Sequence, residues 1–284
     1  MLLLPLAGGR RVIVSADDFG MSEGVNEAIE MAHRAGILST ASLMVTGSAA
    51  ADAVRRAKRL PGLRVGLHLV VVEGDAMLPA ALPHVVDARG RCPASQARLG
   101  VDYFFRPVVR KQLAREVEAQ YRAFIAPGLR LDHANAHKHM HLHPTVGALL
   151  IRLGLEHGLT AMRVPSEPPR VMLACGVAQG LGARALYGWT RLLRRQGRRA
   201  GLQMNDWAFG LAWTGHMTAA RLLRLEPTLP VGLSEIYFHP GMGAGTPGYE
   251  HKAELVALLE PSVREAFEAA GVEWAGYGAT PAPG

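Results

Sequence analysis

Between positions 132 and 144 the chain reads Asp132-His133-Ala134-Asn135-Ala136-His137-Lys138-His139-Met140-His141-Leu142-His143-Pro144, which holds five of its twelve histidines. Neutral imidazole is the commonest metal ligand and a ready proton carrier. His137, His139 and His141 alternate, so an extended backbone would point them to one side. A tract of this kind can bind metal without catalysis, so an enzyme needs further groups from elsewhere. Asp17 and Asp18 are candidates, because two adjacent carboxylates directly after an apolar run are costly to bury unless something pairs with them. A helix cap would also account for an aspartate here, but Ser22 is the better cap. His68 lies near the end of an apolar run and His239 directly follows Ser-Glu-Ile-Tyr-Phe. A lone histidine in an apolar strand is more often a core residue than a ligand, unless other ligands sit at neighbouring strand ends.

One carboxylate and two imidazoles make a three-ligand site with open positions. That set suits hydrolytic Zn²⁺, and equally the Fe(II) of non-haem oxygenases. The second aspartate favours hydrolysis. A carboxylate beside the metal can deprotonate water while a histidine opposite protonates a leaving group, and an oxygenase does not need that pair.

The elements that must position these groups alternate along the chain. Strands are predicted at 11–15, 40–46, 63–72, 129–135, 160–164, 233–238 and 272–277. Helices are predicted from Ser22 to Gly36, at 49–60, at 107–124, at 144–157 and at 250–270, from apolar spacing and Gly or Pro punctuation. Residues 73–106 read as a long loop over the strand ends, where Phe104, Phe105 and Arg106 are more apt for packing than for substrate. Residues 165–215 are irregular, with a basic amphipathic stretch at 181–202. Its arginines at 191–199 either face water or lie on an anionic membrane. The alternation predicts one α/β domain over 1–284, with a mostly parallel sheet closed or nearly closed into a (β/α) barrel. Asp17, Asp18, His68, His137, Arg163 and His239 all fall at or just past predicted strand ends, which converge on one mouth in a barrel.

Composition narrows the classes. Hydrophobic residues make up 49% and charged residues 19% of 284, enough for a large core and too apolar for a disordered chain. The formal charge of +7 is scattered outside 191–199, with no RNA-binding aromatic signature or zinc-finger spacing, so nucleic acid is not an expected partner. Two distant cysteines, Cys92 and Cys175, fit a reducing compartment and hence a cytoplasmic location. Met1-Leu-Leu-Leu-Pro-Leu-Ala is too short for a signal peptide, and no apolar run is long enough to span a bilayer.

Ala16-Asp17-Asp18-Phe19-Gly20, Gly66-Leu67-His68, His137-x-His139-x-His141 and Phe238-His239-Pro240, in this order, resemble the YdjC family of carbohydrate deacetylases, which includes chitooligosaccharide deacetylases. The resemblance covers nearly the whole chain. It implies a distorted, TIM-like (β/α) barrel, a divalent metal (Zn²⁺, with Mg²⁺ as the alternative) and hydrolysis of an N-acetyl group on a sugar. By motif it implies Asp18, His68 and His137 as metal ligands, Asp17 as general base and His239 as acid. Around Asn135 and Arg163, and at Asn205-Asp206 and Ser234-Glu235-Ile236-Tyr237, the chain is similar to the hopanoid-biosynthesis branch, called HpnK. That branch is implied to deacetylate N-acetylglucosaminyl bacteriohopanetetrol. His139, His141, Arg163, Glu235, Asn205 and Asp206 are then expected to contact substrate, a glycan or glycolipid. Peripheral contact with the inner membrane and a homodimer fit the same picture. The wider family has Asp-Ser-His where this chain has Asn135-Ala136-His137, which replaces a charged partner for a ligand histidine by a neutral one.

Overall fold

The computed structural model describes residues 9–243 and 245–278; the Met1 to Ala7 stretch lies outside them. The strands are β1 (Arg10–Phe19), β2 (Thr40–Leu43), β3 (Arg64–Leu69), β4 (Gly74–Asp75), β5 (Arg91–Cys92), β6 (Ala134–Ala136), β7 (Ala161–Met162), β8 (Gln203–Met204), β9 (Trp207–Phe209), β10 (Gly232–Phe238) and β11 (Val272–Trp274). All but the β4–β5 hairpin join one sheet, in the order β8-β7-β6-β3-β2-β1-β10-β9, with β11 also on β1. Every pairing in that sheet is parallel. The path curls into a distorted α/β barrel with helices outside.

β1 is the longest strand because it carries three neighbours. β10 runs along one edge, while β11 takes the first part of the other edge and β2 the last part. Val12, Val14 and Ala16 face the helices and join the main core, whereas Ile13 packs with Leu233, Ala161, Ala275 and Tyr277. The period of two therefore sends Ile13, Ser15 and Asp17 toward the barrel axis.

The ring closes without a ladder between β8 and β9. The Asn205 side chain accepts from the Val164 N–H and donates to the Val164 carbonyl, both at 2.8 Å, in place of a strand partner. Asp206 bonds Leu233 with its backbone N–H at 2.7 Å and with Oδ2 at 2.9 Å. Two-residue strands held by side-chain amides leave little periodic trace, and neither β8 nor β9 is among the predicted strands.

Helix Glu23–Ala35 starts as expected, with the Ser22 hydroxyl accepting from the Val25 N–H at 3.2 Å. It buries Val25, Ala28, Ile29 and Ala32 and stops at Gly36. Gly36 is extended, and a Cβ there would stand 2.2 Å from the Leu258 carbonyl, so close approach is what requires glycine. The helix predicted over 250–270 is two helices, His251–Leu259 and Pro261–Ala269, because Pro261 cannot continue the first and begins the second.

The 73–106 segment is more ordered than a loop. It contains the hairpin and helix Gln96–Phe105. Helix Pro107–Ile125 fastens it, and the residue after β3, through polar residues four apart: Gln112 accepts from the His84 N–H, Glu116 from Met77 and Leu78, and Gln120 from Val70. Within 165–215 the basic stretch forms helix Leu181–Arg199, which buries Thr190, Leu193 and Gly197. Among the described residues, no helix is long and apolar enough to cross a membrane.

Candidate metal centre and active-site cleft

Consecutive strand residues normally face opposite ways. The register between β1 and β2 shifts between Ala16 and Phe19, and Asp18 takes φ 64°, in the left-handed region. This bulge aims two adjacent carboxylates at one mouth. Asp17 and Asp18 are 2% and 3% exposed. His68 arrives at the end of β3 and His137 just after β6.

His68 Nε2 and His137 Nδ1 each lie 3.4 Å from Asp18 Oδ1. That oxygen is buried and has no hydrogen-bond partner among the described residues. The three ligand atoms lie within 4.8 Å of one another, a donor set that fits a divalent cation. His68 is oriented for this. Its Nδ1 donates to Asn135 Oδ1 at 2.6 Å, because an amide oxygen can only accept, and Nε2 is left to face Asp18. Asn135 Nδ2 in turn donates to Ser42 Oγ at 2.9 Å and to Asp17 Oδ1 at 3.3 Å. An aspartate at 135 would set another carboxylate against Asp17; asparagine serves His68 and Asp17 together.

Asp17 faces the same mouth from a different setting. Arg163 forks onto it, with Nη1 to Oδ2 at 2.5 Å and Nη2 to Oδ1 at 2.9 Å. Burial works to raise the Asp17 pKa, but Arg163 and then His68 outweigh it and hold the carboxyl well below the usual range. Burial likewise opposes ionisation of Asp18, and His137 and His68 outweigh it. His68 is pulled the other way, with burial lowering its pKa and the Asp17 and Asp18 charges raising it above the usual value.

A cleft of about 370 Å³ opens over these groups, lined by Asp17, Asp18, His68, His137, His139 and His239 among others. His239 follows β10, and its backbone is clamped by helix His251–Leu259: Glu254 accepts its N–H, and His251 Nδ1 donates to its carbonyl at 2.6 Å. Burial lowers the His239 pKa, against the opposing pull of Asp18 and Asp17. Tyr237 and Tyr249 also line the cleft. Tyr237 lies under the Arg163 guanidinium, 4.7 Å from its ring centre, and its hydroxyl meets His139 Nε2 at 3.1 Å. Its alternation with Leu233 and Glu235 on one strand was the signal that could have singled it out.

Several expected placements are corrected. His137, His139 and His141 do not share a face through strand alternation, because β6 ends at Ala136 and Lys138 and His139 take φ 50° and 54°. His139 reaches the cleft, with burial and then Arg163 lowering its pKa to about 3. His141 is fully buried beneath it and does not line the cleft. Arg163 and Glu235 are expected to touch substrate, yet both are 0% exposed. They form a buried column behind Asp17, in which Glu235 accepts from Arg163 at 2.8 Å, from Ser15 at 2.7 Å and from the Tyr277 hydroxyl. Asn205 and Asp206 are also expected at substrate, but they close the barrel seam. Arg194, within the basic cluster, is tied to their carbonyls at 2.9 and 2.8 Å.

Comparison with known proteins follows the same lines. The family model described as YdjC-like protein matches residues 11–269. A carbohydrate deacetylase of Brevibacillus brevis is 38% identical over 159 residues, 56% of this chain and 59% of that one. A carbohydrate deacetylase of Geobacillus stearothermophilus is 36% identical over 162 residues, 57% and 60% of the two chains. The chain thus spans about three-fifths of the length of these relatives. A crystal structure of a provisionally named cellobiose-phosphate cleavage protein from Enterococcus faecalis V583 superposes with TM-score 0.75, covering 95% of this chain and 98% of that one at 21% identity. That likeness concerns the fold.

Proposed function

The chain belongs to the YdjC-like family, and from that premise we propose that it is a metal-dependent carbohydrate deacetylase, hydrolysing an N-acetyl group on a sugar. The observation that carries this reading is the partnerless Asp18 oxygen facing His68 and His137, with Asp17 and His239 lining the same cleft. The deacetylase names of the Brevibacillus and Geobacillus relatives support it.

Asp18, His68 and His137 would hold the cation. When bound, a divalent cation such as Zn²⁺ supplies Lewis acidity toward a carbonyl and lowers the pKa of water. Asp17 accepts the proton of the attacking water at a carboxylate oxygen. Arg163 fixes that carboxylate's direction and keeps it ionised, so the base is always in its accepting form. Water adds to the acetyl carbon and gives a proton to Asp17. The C–N bond breaks as His239 in its imidazolium form delivers a proton to the departing amine nitrogen. The proton held by Asp17 then returns through solvent to His239, so that each turnover consumes one water. The lowered His239 pKa makes it a stronger acid once protonated.

For the substrate itself we read N-acetylglucosaminyl bacteriohopanetetrol, on the sequence similarity around Asn135, Arg163, Asn205 and Glu235. A soluble chitooligosaccharide is the second reading, favoured by the carbohydrate deacetylase names. A membrane-held substrate places the enzyme in the cytoplasm at the inner membrane. Helix Leu181–Arg199 then docks through exposed Arg191, Arg195, Arg198 and Arg199 beside exposed Leu181 and Trp189. The test is acetate release from a panel of N-acetylated glycans and glycolipids, with and without chelator. Chelator-sensitive release is expected; no release from any N-acetylated sugar overturns the reading.

A further inference from the structure

The cleft does not end at His139. A groove of about 640 Å³ continues from it between helix Gln96–Phe105 and helix Leu181–Arg199, and Gln96, Lys138 and His139 line both. Its walls are apolar. Val101, Trp189 and Leu186 line it and are 59%, 50% and 37% exposed, and Gly100, Met140, Gly182 and His143 are among the other lining residues. Open apolar surface continuous with a polar cleft marks a ligand site more readily than a solvated face does.

Several polar groups around the groove are already engaged, although the Nδ1 atoms of His139 and His143 on its lining have no hydrogen-bond partner among the described residues. The Trp189 indole N–H donates to the Leu142 carbonyl at 2.8 Å, which fixes the ring and leaves its apolar faces to the groove. Gln96 Nε2 donates to the Lys138 carbonyl at 2.9 Å, tying the two sides of the threshold together. Lys138 is the one charged side chain lining the groove among the described residues, and it is paired with Glu73. Beyond those two imidazole nitrogens a further sugar unit would find few hydrogen bonds here, whereas a hydrocarbon would meet mostly apolar wall.

We propose that this groove is a second subsite, which holds the apolar aglycone of the same amphiphilic molecule whose N-acetylated sugar enters the cleft. It rests on the deacetylase reading for the sugar end alone. The apolar end follows from the groove's walls and from the three residues it shares with the cleft. Gly100, Val101, Leu186 and Trp189 then set which aglycones are accepted.

The probes are n-octyl and methyl 2-acetamido-2-deoxy-β-D-glucopyranoside, both below micelle-forming concentration. Binding is read by tryptophan emission and turnover by acetate release. The octyl glycoside should bind at least about tenfold more tightly, since several methylenes leave water. Its emission change should vanish in Trp189→Phe. Gly182→Phe should abolish the octyl preference while leaving methyl glycoside turnover unchanged, because a Cβ at 182 meets nothing within 4 Å and the new ring can fill the groove. Equal affinity for the two glycosides, or an octyl preference that survives Gly182→Phe, overturns the proposal. Tighter binding of a chitotetraose than of the octyl glycoside assigns the groove to a glycan and overturns it too. Octyl binding at the groove without acetate release from any N-acetylated sugar keeps the subsite and overturns the deacetylase reading instead.

Discussion

The two ends of the barrel are built from the same inward-facing alternation but carry opposite chemistry. At the mouth, the inward residues of β1 and β10 are Asp17 and Tyr237. At the base they are Ile13 and Leu233, packed with Ala161, Ala275 and Tyr277. Between them Ser15, Glu235 and Arg163 bond one another, with Arg163 Nε alone of the guanidinium nitrogens left without a partner among the described residues. The difference separates two kinds of polar burial. Asp18 keeps a buried oxygen without a partner, as a binding site must, whereas Glu235 has donors on both its oxygens. A buried carboxylate oxygen left without a donor and facing two imidazoles calls for a ligand.

Substitutions at the mouth should therefore change rate and metal binding with little effect on stability, and those in the column should lower stability, with Arg163 also affecting rate through Asp17. The largest effect is expected at Asp17→Asn, which removes the base but can keep the fold. Turnover should fall by roughly 10²–10⁴ in steady-state assays with metal still bound; wild-type turnover in the metal-loaded variant contradicts the role. Next comes Arg163→Met. It leaves the Asp17 and Glu235 carboxylates buried without their shared cation, at a cost of about 3–5 kcal/mol. Urea unfolding measures this, and a loss below about 1 kcal/mol would break the distinction between column and mouth.

Glu254 sharpens the comparison, because it supports the His239 backbone from outside the barrel. Burial pushes its pKa up to about 7 from 4.5, against the backbone N–H donors that lower it. Its contribution is fully present below pH 4.5, where the unfolded chain is also protonated, and is lost as pH rises through about 7. Over that window stability should decline by up to roughly 3 kcal/mol from this group. The decline should be shallower in Glu254→Gln when unfolding is followed at several pH values, and an unchanged slope counts against the assignment. The smallest effect is expected at Tyr277→Phe. It removes one hydrogen bond to a buried carboxylate at the base, worth about 2 kcal/mol, and should leave metal affinity as it is. A large loss of affinity would mean that base and mouth are not separable.

The ligand candidates were legible in the sequence because each lies at the end of a strand, or just past it, where the apolar run stops. Asp17, Asp18, His68, His137 and His239 needed only that reading. The roles of Arg163 and Glu235 were not legible, because position along a strand does not tell whether a charged side chain faces the mouth or is sealed beneath it. Asn205 and Asp206 misled for a related reason. Polar residues that replace a strand ladder resemble residues waiting for substrate. The His137–His141 alternation pointed to a continued strand, and the left-handed turn at Lys138 and His139 cancelled it. Helix Pro107–Ile125 hid its function in plain spacing: Gln112, Glu116 and Gln120 look like a solvated stripe but hold backbone N–H groups between positions 70 and 84.

The most direct test of the account is metal stoichiometry by elemental analysis, after Zn²⁺ loading and dialysis. It should be run on the wild type and on Asp18→Ala, His68→Ala and His137→Ala, with circular dichroism confirming that each is folded. The account predicts one ion per wild-type chain and a loss of occupancy in all three variants. A folded wild type that retains no ion, or full occupancy in all three variants, would contradict it.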